Sequence, residues 1–178
     1  MRGMRGNKGL LVAGTLLVLG CGGPKRATVS GPQVGGQRVT VVEFTPVAAS
    51  NYDAPTGSLG LALAEEIAGE LRRQGHMAEA IPAGGQPTGD VIVRGRLVRV
   101  DGGSRALRYW VGFGAGAAKF GTAGDVLKGD GTQLASFADE RRSGFGIFGG
   151  ATETLMQKCV RQVGRDIAEM VHTGEYRQ

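Results

Sequence analysis

Two stretches of the chain repeat apolar residues at helical spacing. The first, residues 58–75, places one apolar residue on the same face every four positions, at Leu59, Leu63, Ile67 and Leu71. Ser58 is placed to cap its start and Gly75 to end it. The second, residues 151–174, carries Leu155, Met156, Cys159, Val160, Val163, Ile167, Met170 and Val171 on one face. The pattern therefore predicts two amphipathic helices, one of them close to the C-terminus.

Between and before these helices the pattern favours strands. Residues 37–44 form a β-branched run, and residues 77–81 could form a second, short strand. In residues 90–103 apolar positions alternate with Arg94 and Arg96, and the apolar phase then shifts by one residue near Gly95. Such a shift indicates a β-bulge, or alternatively a central strand buried on both faces. Further on, Asp130 and Gly131 are typical of the turn of a hairpin.

The order of these elements predicts an α+β fold. Strand, helix, several strands and a final helix suit a mostly antiparallel sheet of four to five strands, with two main helices packed on one face. We expect a single domain over residues 37–174, followed by a tail at 175–178. Residues 21–36 are rich in glycine, proline and polar side chains and are interpreted as a flexible tether.

Residues 1–20 have the pattern of a secretory signal peptide: a basic start followed by an uncharged apolar run too short to span a bilayer. The next residue is Cys21, and residues 17–21, LVLGC, resemble the lipobox of bacterial lipoproteins. That resemblance implies cleavage before Cys21, lipid on its sulfur and usually on its new amino group, and a membrane anchor. Because Gly22 follows, the outer membrane with the domain in the periplasm is the expected location. Cys159 is then left without an intramolecular disulfide partner.

The net charge argues against nucleic-acid binding, and the composition favours a loop-rich fold. The formal net charge is +5, but removal of Arg2, Arg5 and Lys8 with the signal leaves 18 basic against 16 acidic residues, or +2. A charge this small gives no case for nucleic-acid binding. The 33 glycines, without a regular period, favour a loop-rich fold.

The sequence gives little support for an enzymatic activity or for cofactor binding. The glycine patterns at residues 112–117 and 144–149 match a dinucleotide fingerprint in spacing only, since neither lies between a buried strand and a helix that leads to a returning strand. His76 and His172 lack ligand-type neighbours, and Cys159 lies on an apolar helix face, which favours an inert thiol. We therefore expect no enzymatic activity, cofactor or metal. The arginines of residues 94–108 are interpreted as a solvated sheet face, with a basic docking patch as the alternative.

The segment DVIVRGRLVRVDGGSRALRYWVGFGAGAAK, residues 90–119, resembles the signature of a family of bacterial lipoproteins known as domain of unknown function 4410. The matching features are the strand that ends in Asp101-Gly102-Gly103, the Ser104-Arg105-Ala106 that follows, Arg108, and the glycines of residues 112–116. The family usually continues into an unbroken β-branched strand, whereas glycines interrupt residues 119–133 here and leave the length and stability of this hairpin open. The resemblance implies a class and a location, with no established reaction.

The stretch RYWVGFGAGAAK, residues 108–119, is the centre of this signature. It is too short for a membrane helix, and we interpret it as a packing or docking motif comprising Arg105, Arg108, Trp110, Gly112, Phe113, Gly114 and Gly116. These features predict a non-enzymatic envelope lipoprotein that binds an envelope protein partner. The alternative is a subunit of an oligomeric envelope pore or secretion assembly in which the Gly/Phe stretch forms a membrane hairpin.

Overall fold

Within the described residues, two helices cover one face of a mixed six-stranded sheet in the computed structural model. The structure describes residues 28–29, 36–46, 56–102, 117–143 and 152–174. In chain order the elements are β1 (Thr28–Val29), β2 (Arg38–Val42), α1 (Thr56–Arg73), β3 (Met77–Ile81), β4 (Val91–Asp101), β5 (Ala118–Lys128), β6 (Gln133–Ser143) and α2 (Thr152–Thr173). The α+β class and the two predicted helices are confirmed.

The sheet is mixed, so the prediction of a mostly antiparallel sheet was wrong. The strand order is β1-β6-β5-β4-β2-β3. Strand β2 pairs in parallel with both β3 and β4, whereas β4, β5, β6 and β1 follow one another antiparallel. Five of the strands are substantial, and β1 has only two residues.

The parallel pairing follows from the two connections that flank β3. Helix α1 carries the chain from the end of β2 back to the start of β3, which forms a β-α-β unit. Residues 82–90 then return the chain from the end of β3 to the start of β4, where Val91 lies opposite Val39 of β2. The Gly89 N–H donates a 2.9 Å hydrogen bond to Oγ1 of the buried Thr40, which fixes this return over the sheet face opposite the helices.

Helices α1 and α2 pack on each other and on the same sheet face. Their predicted apolar positions, including Leu63, Ile67 and Ile167, are fully buried; burial of one such side chain contributes about 1.5–3 kcal/mol. Helix α1 begins at Thr56, two residues before the predicted cap at Ser58, and ends as predicted near Gly75, which adopts a φ of 90°.

The phase shift in β4 is a β-bulge. The register with β5 slips between Leu97 and Arg99, and Val98 between them is 42 % exposed. The hairpin turn at Asp130 and Gly131 is also confirmed, with a φ of 87° at Gly131. The glycines of β5 do not shorten the hairpin, because β5 and β6 each run for 11 residues.

Strand β6 continues through the charged residues 139–142 because an ion-pair network accommodates them. The Asp139 side chain is almost completely buried, and its Oδ2 accepts a 2.9 Å hydrogen bond from Nε of Arg141. Nη2 of Arg141 also donates to Oδ2 of Asp166 on α2. This network links the sheet to α2.

No helix within the described ranges is long and apolar enough to cross a bilayer.

Candidate functional site

An open groove of about 580 Å³ lies on the sheet face opposite the helices. Strands β4, β5 and β6 form its floor, and residues 83–84 of the loop after β3 contribute to one wall. Its charged lining residues are Glu43, Arg94, Arg96 and Asp125. The volume falls within the range of about 300–1,000 Å³ that is usual for binding sites.

A pair of glycines in the floor of the groove lets the side chains of the core pack close to the backbone of the sheet. Gly95 of β4 lies opposite Gly124 of β5, and the rings of Phe44 and Phe137 lie beneath them with centroids 6.1 Å apart. A Cβ at Gly95 would lie 2.5 Å from Cε1 of Phe44, and one at Gly124 would lie 2.6 Å from Cζ of Phe137. The missing side chains therefore let the aromatic pair pack directly against the sheet backbone.

Arg94 and Arg96 extend from the same face of β4 into the groove. Residues two apart in a strand are separated by about 7 Å, so the two guanidinium groups leave the strand side by side. Both residues are exposed, and neither side chain forms a hydrogen bond or ion pair with the residues that the structure describes. Each guanidinium offers five N–H donors. Arg99, the next arginine on β4, instead pairs with Asp101 and Glu140.

The carboxylates of the groove already have partners within the protein. Oε2 of Glu43 accepts a 2.9 Å hydrogen bond from the Ala83 N–H, and Oδ1 of Asp125 accepts 3.0 Å hydrogen bonds from Nε2 of Gln133 and Oγ of Ser136. The two arginines and two carboxylates balance in formal charge. The groove is therefore a polar surface with unused donors, and it is unsuited to a polyanion.

The loop after β3 is fastened to the sheet by side-chain hydrogen bonds. Oε1 of Glu79 accepts hydrogen bonds from Oγ1 of Thr40 at 3.2 Å and from Oγ1 of Thr88 at 3.3 Å. A Cβ at Gly89 would lie 2.7 Å from the backbone nitrogen of Thr40, so only glycine permits this close approach. The wall of the groove is thus held in place before any partner binds.

The residues that the sequence singled out for a site lie outside the described residues. These are the lipidation candidate Cys21 and the docking or packing motif Arg105, Arg108, Trp110, Gly112, Phe113, Gly114 and Gly116. What the structure does place are the ends of the strands that this motif joins: Asp101 of β4 lies opposite Lys119 of β5. Of the arginines that the alternative hypothesis of a basic docking patch groups, Arg94 and Arg96 lie together in the groove, whereas Arg99 pairs with Asp101 and Glu140.

The two histidines, which are 96 positions apart in the chain, meet where α1 and α2 end. Nε2 of His76 lies 2.9 Å from Nδ1 of His172. Burial, and secondarily the charge of His172, lower the pKa of His76 below its ordinary value. Within the described ranges no three histidine, cysteine, aspartate or glutamate side chains form a group suited to a metal ion.

Cys159 lies in the core between α2 and the sheet and is fully buried. Burial raises the pKa of its thiol. A buried, protonated thiol is a poor nucleophile, so this position supports the inert packing role that the sequence predicts.

Comparison of folds finds a similar architecture in solved structures. The PelC dodecamer from Paraburkholderia phytofirmans aligns with a TM-score of 0.55 at 16% identity, over 87% of this chain and 99% of that one. A dodecameric single-residue variant of it gives 0.53, at 16% identity and over 85% and 98%. An uncharacterized lipoprotein B from Nitrosomonas europaea aligns more distantly, with a TM-score of 0.37 at 12% identity over 80% and 88%. At these identities the likeness to PelC concerns the fold alone.

Comparison of sequences identifies the family. None of the curated proteins compared with this chain matches it. The family model for a domain of unknown function, DUF4410, matches residues 38–146, which extend from β2 through the end of β6 and contain the whole groove. The signature at residues 90–119 falls inside this match. The chain belongs to the DUF4410 family.

Proposed function

We propose that this protein is a non-enzymatic envelope lipoprotein that binds another envelope protein through the groove on its outer sheet face. Lipid on Cys21 anchors it to the outer membrane, and the domain faces the periplasm. The lipobox-like residues 17–21 support the anchoring half of this proposal.

The proposal that the groove binds a partner rests on its two arginines, whose side chains have no hydrogen-bond partner among the described residues. Arg94 and Arg96 have no acceptor among the described residues, although Glu43 and Asp125 lie in the same groove and are hydrogen-bonded elsewhere. Arginine is enriched at the energetic centres of protein interfaces because its planar group donates several hydrogen bonds and also stacks. The balanced charge of the groove suits a partner surface that carries both signs.

The chemistry of the described residues also favours binding over catalysis. His76 is buried against His172, and Cys159 is buried in the core, so neither lies in the groove. In the groove Oγ of Ser136 donates to Oδ1 of Asp125 at 3.0 Å, but no histidine is among the described residues that line it, and histidine is the base that most often activates a serine.

Anchoring is tested by the Cys21→Ala variant. We expect the wild-type protein in the membrane fraction with a lipidated N-terminus by mass spectrometry, and the variant in the soluble fraction or retained as the uncleaved precursor. A wild-type protein found processed but without lipid would contradict the anchoring half.

Binding is tested by capture of partners from detergent-solubilised envelopes. The double variant Arg94→Gln/Arg96→Gln should lose the captured partner, because it removes the unused donors without changing a buried group. The matched control is Arg161→Gln, which removes an exposed arginine of α2 on the other side of the sheet. Equal capture by wild type and double variant would contradict the proposed role of the groove.

A second candidate function is a subunit of an oligomeric envelope pore or secretion assembly, with the Gly/Phe stretch as a membrane hairpin. The likeness of the fold to a dodecamer favours it, since that alignment covers almost the whole of the PelC chain. Size measurement of the detergent-extracted protein separates the two candidates. A stable ring would favour the assembly subunit, and a monomer would exclude it.

A further inference from the structure

One end of the sheet collects the ends of three strands. Asp101 at the end of β4 lies opposite Lys119 near the start of β5, and Lys119 lies opposite Arg142 near the end of β6. We call this the anchor end and define it by these three residues. The opposite end, which we call the hairpin end, holds the turn of residues 129–132 between β5 and β6.

The direction of β1 points the N-terminal segment toward the anchor end. Thr28 pairs with Ser136 and Val29 with Ala135, so the chain runs antiparallel to β6 and enters β1 from the side of Ser143. Cys21 precedes Thr28 by seven residues, and Ser143 follows Ser136 by seven. Seven extended residues reach about 24 Å in either case. The chain therefore enters β1 from the side of the anchor end, and the seven residues between Cys21 and Thr28 are enough for the lipid to reach that end.

The charge at the anchor end suits a bilayer surface. Arg99 and Arg142 pair there with Asp101 and Glu140, and Lys119 gives these five residues one net positive charge; the side chain of Arg142 is 64% exposed. The two segments that leave from this end, residues 102–118 and 144–151, contain two arginines and no acidic residue. At the hairpin end Lys128 is offset by Asp130. Basic side chains near a membrane are attracted to lipid phosphates.

We infer that the anchor end faces the bilayer, with Lys119 and Arg142 near the lipid headgroups and the hairpin end directed away from the membrane. This orientation rests on the proposed lipid anchor at Cys21. Since β5 is 11 residues long, the hairpin end stands about 33 Å farther from the membrane than the anchor end. The groove lies between the two ends and opens sideways, where it is accessible to a partner in the periplasm.

The test uses the acylated protein in vesicles of phosphatidylethanolamine and phosphatidylglycerol that contain a headgroup-labelled energy acceptor. A donor dye is attached to a cysteine introduced by Arg142→Cys or by Thr132→Cys. Cys159 does not compete for the dye because it is fully buried, and Cys21 carries the lipid. For probes whose heights differ by about 33 Å, energy transfer from position 142 should exceed that from position 132 by roughly twofold or more.

A matched pair of variants tests the basic contact. Lys119 and Lys128 lie near opposite ends of the same strand. Lys119→Gln should reduce the difference in energy transfer between the two probe positions at low salt, whereas Lys128→Gln should leave it unchanged. Removal of one lysine that contacts an anionic surface weakens binding about fivefold. Equal effects of the two variants would overturn the assignment of the contact to the anchor end.

The outcomes separate this inference from the proposal on which it rests. Protein that does not float with the vesicles refutes the lipid anchor, and the orientation with it. Protein that floats but gives equal transfer from both positions, or more from position 132, overturns the orientation while the anchor stands. Greater transfer from position 142 supports both.

Discussion

Replacement of Gly124 by alanine should destabilise the domain, because this glycine makes room for the aromatic pair under the groove. The new Cβ would lie 2.3 Å from the carbonyl oxygen of Arg94 and 2.6 Å from Cζ of Phe137. Both contacts are shorter than real Cβ contacts, and one of them is to backbone, so β4 and β5 must move apart. Overpacking of this kind costs about 1–3 kcal/mol.

Urea unfolding followed by circular dichroism measures the loss. We expect the free energy of unfolding to fall by about 2 kcal/mol and the midpoint of thermal unfolding to fall by roughly 4–8 °C for a chain of this size. The slope of the urea transition should stay the same, because the surface exposed on unfolding hardly changes.

The control is the same substitution at a glycine with space around it. A Cβ at Gly69 in α1 would lie 3.8 Å from the side-chain ends of Arg72 and Arg73, which is ordinary van der Waals contact. Alanine is favoured over glycine within a helix by up to about 1 kcal/mol, so Gly69→Ala should stabilise the protein. Opposite signs at the two positions would support the packing argument. A Gly124→Ala variant within 0.5 kcal/mol of wild type, a margin of about the size expected at neutral surface sites, would refute it.

Three further predictions concern buried polar groups. Because the pKa of His76 is lowered, the unfolded chain binds more protons than the folded chain in acid. The free energy of unfolding should therefore fall as the pH drops through about 6.5 toward the lowered pKa. A His76→Gln variant that keeps this pH dependence would contradict its assignment to His76. The Cys159 thiol should not react with Ellman's reagent until the protein unfolds. Arg141→Met should lower the free energy of unfolding, measured with urea, by about 3 kcal/mol, because it leaves the Asp139 charge buried without its partner. Adding Asp139→Asn to this variant should restore part of the lost stability.

The local parts of the fold could be predicted from the sequence because they depend on neighbours in the chain. The spacing of Leu59, Leu63, Ile67 and Leu71 determines which helix face is buried, wherever the helix packs. The phase shift after Leu97 and the Asp130-Gly131 turn are equally local, and both are present in the structure.

The parallel pairing of β2 could not be predicted in the same way. It depends on where α1 and residues 82–90 return the chain, and the short strand β3 carries no periodic signal that specifies its partner. The extension of β6 through the charged residues 139–142 also depends on a distant contact. Arg141 pairs with Asp139 in the same strand and with Asp166 of α2, which lies 25 positions away.

Only part of the groove could be predicted from the sequence. Arg94 and Arg96 could be recognised as a possible patch, but the packing of Phe44 and Phe137 under the groove requires Gly95 to lie opposite Gly124, which is 29 positions away. A glycine within each of two strands was the available signal, since glycine in a strand often marks close approach of another group. The sequence does not show that Glu43 and Asp125 are already hydrogen-bonded.

Binding of a protein partner in the groove can be detected in living cells by photo-crosslinking. A photoreactive residue at Ala83, exposed in the wall of the groove, is compared with one at Thr132, exposed at the hairpin end. We expect a discrete protein adduct from position 83 that is absent from position 132 and is lost with Arg94→Gln/Arg96→Gln. No adduct from position 83, or the same adducts from both positions irrespective of the arginines, would contradict the proposed binding.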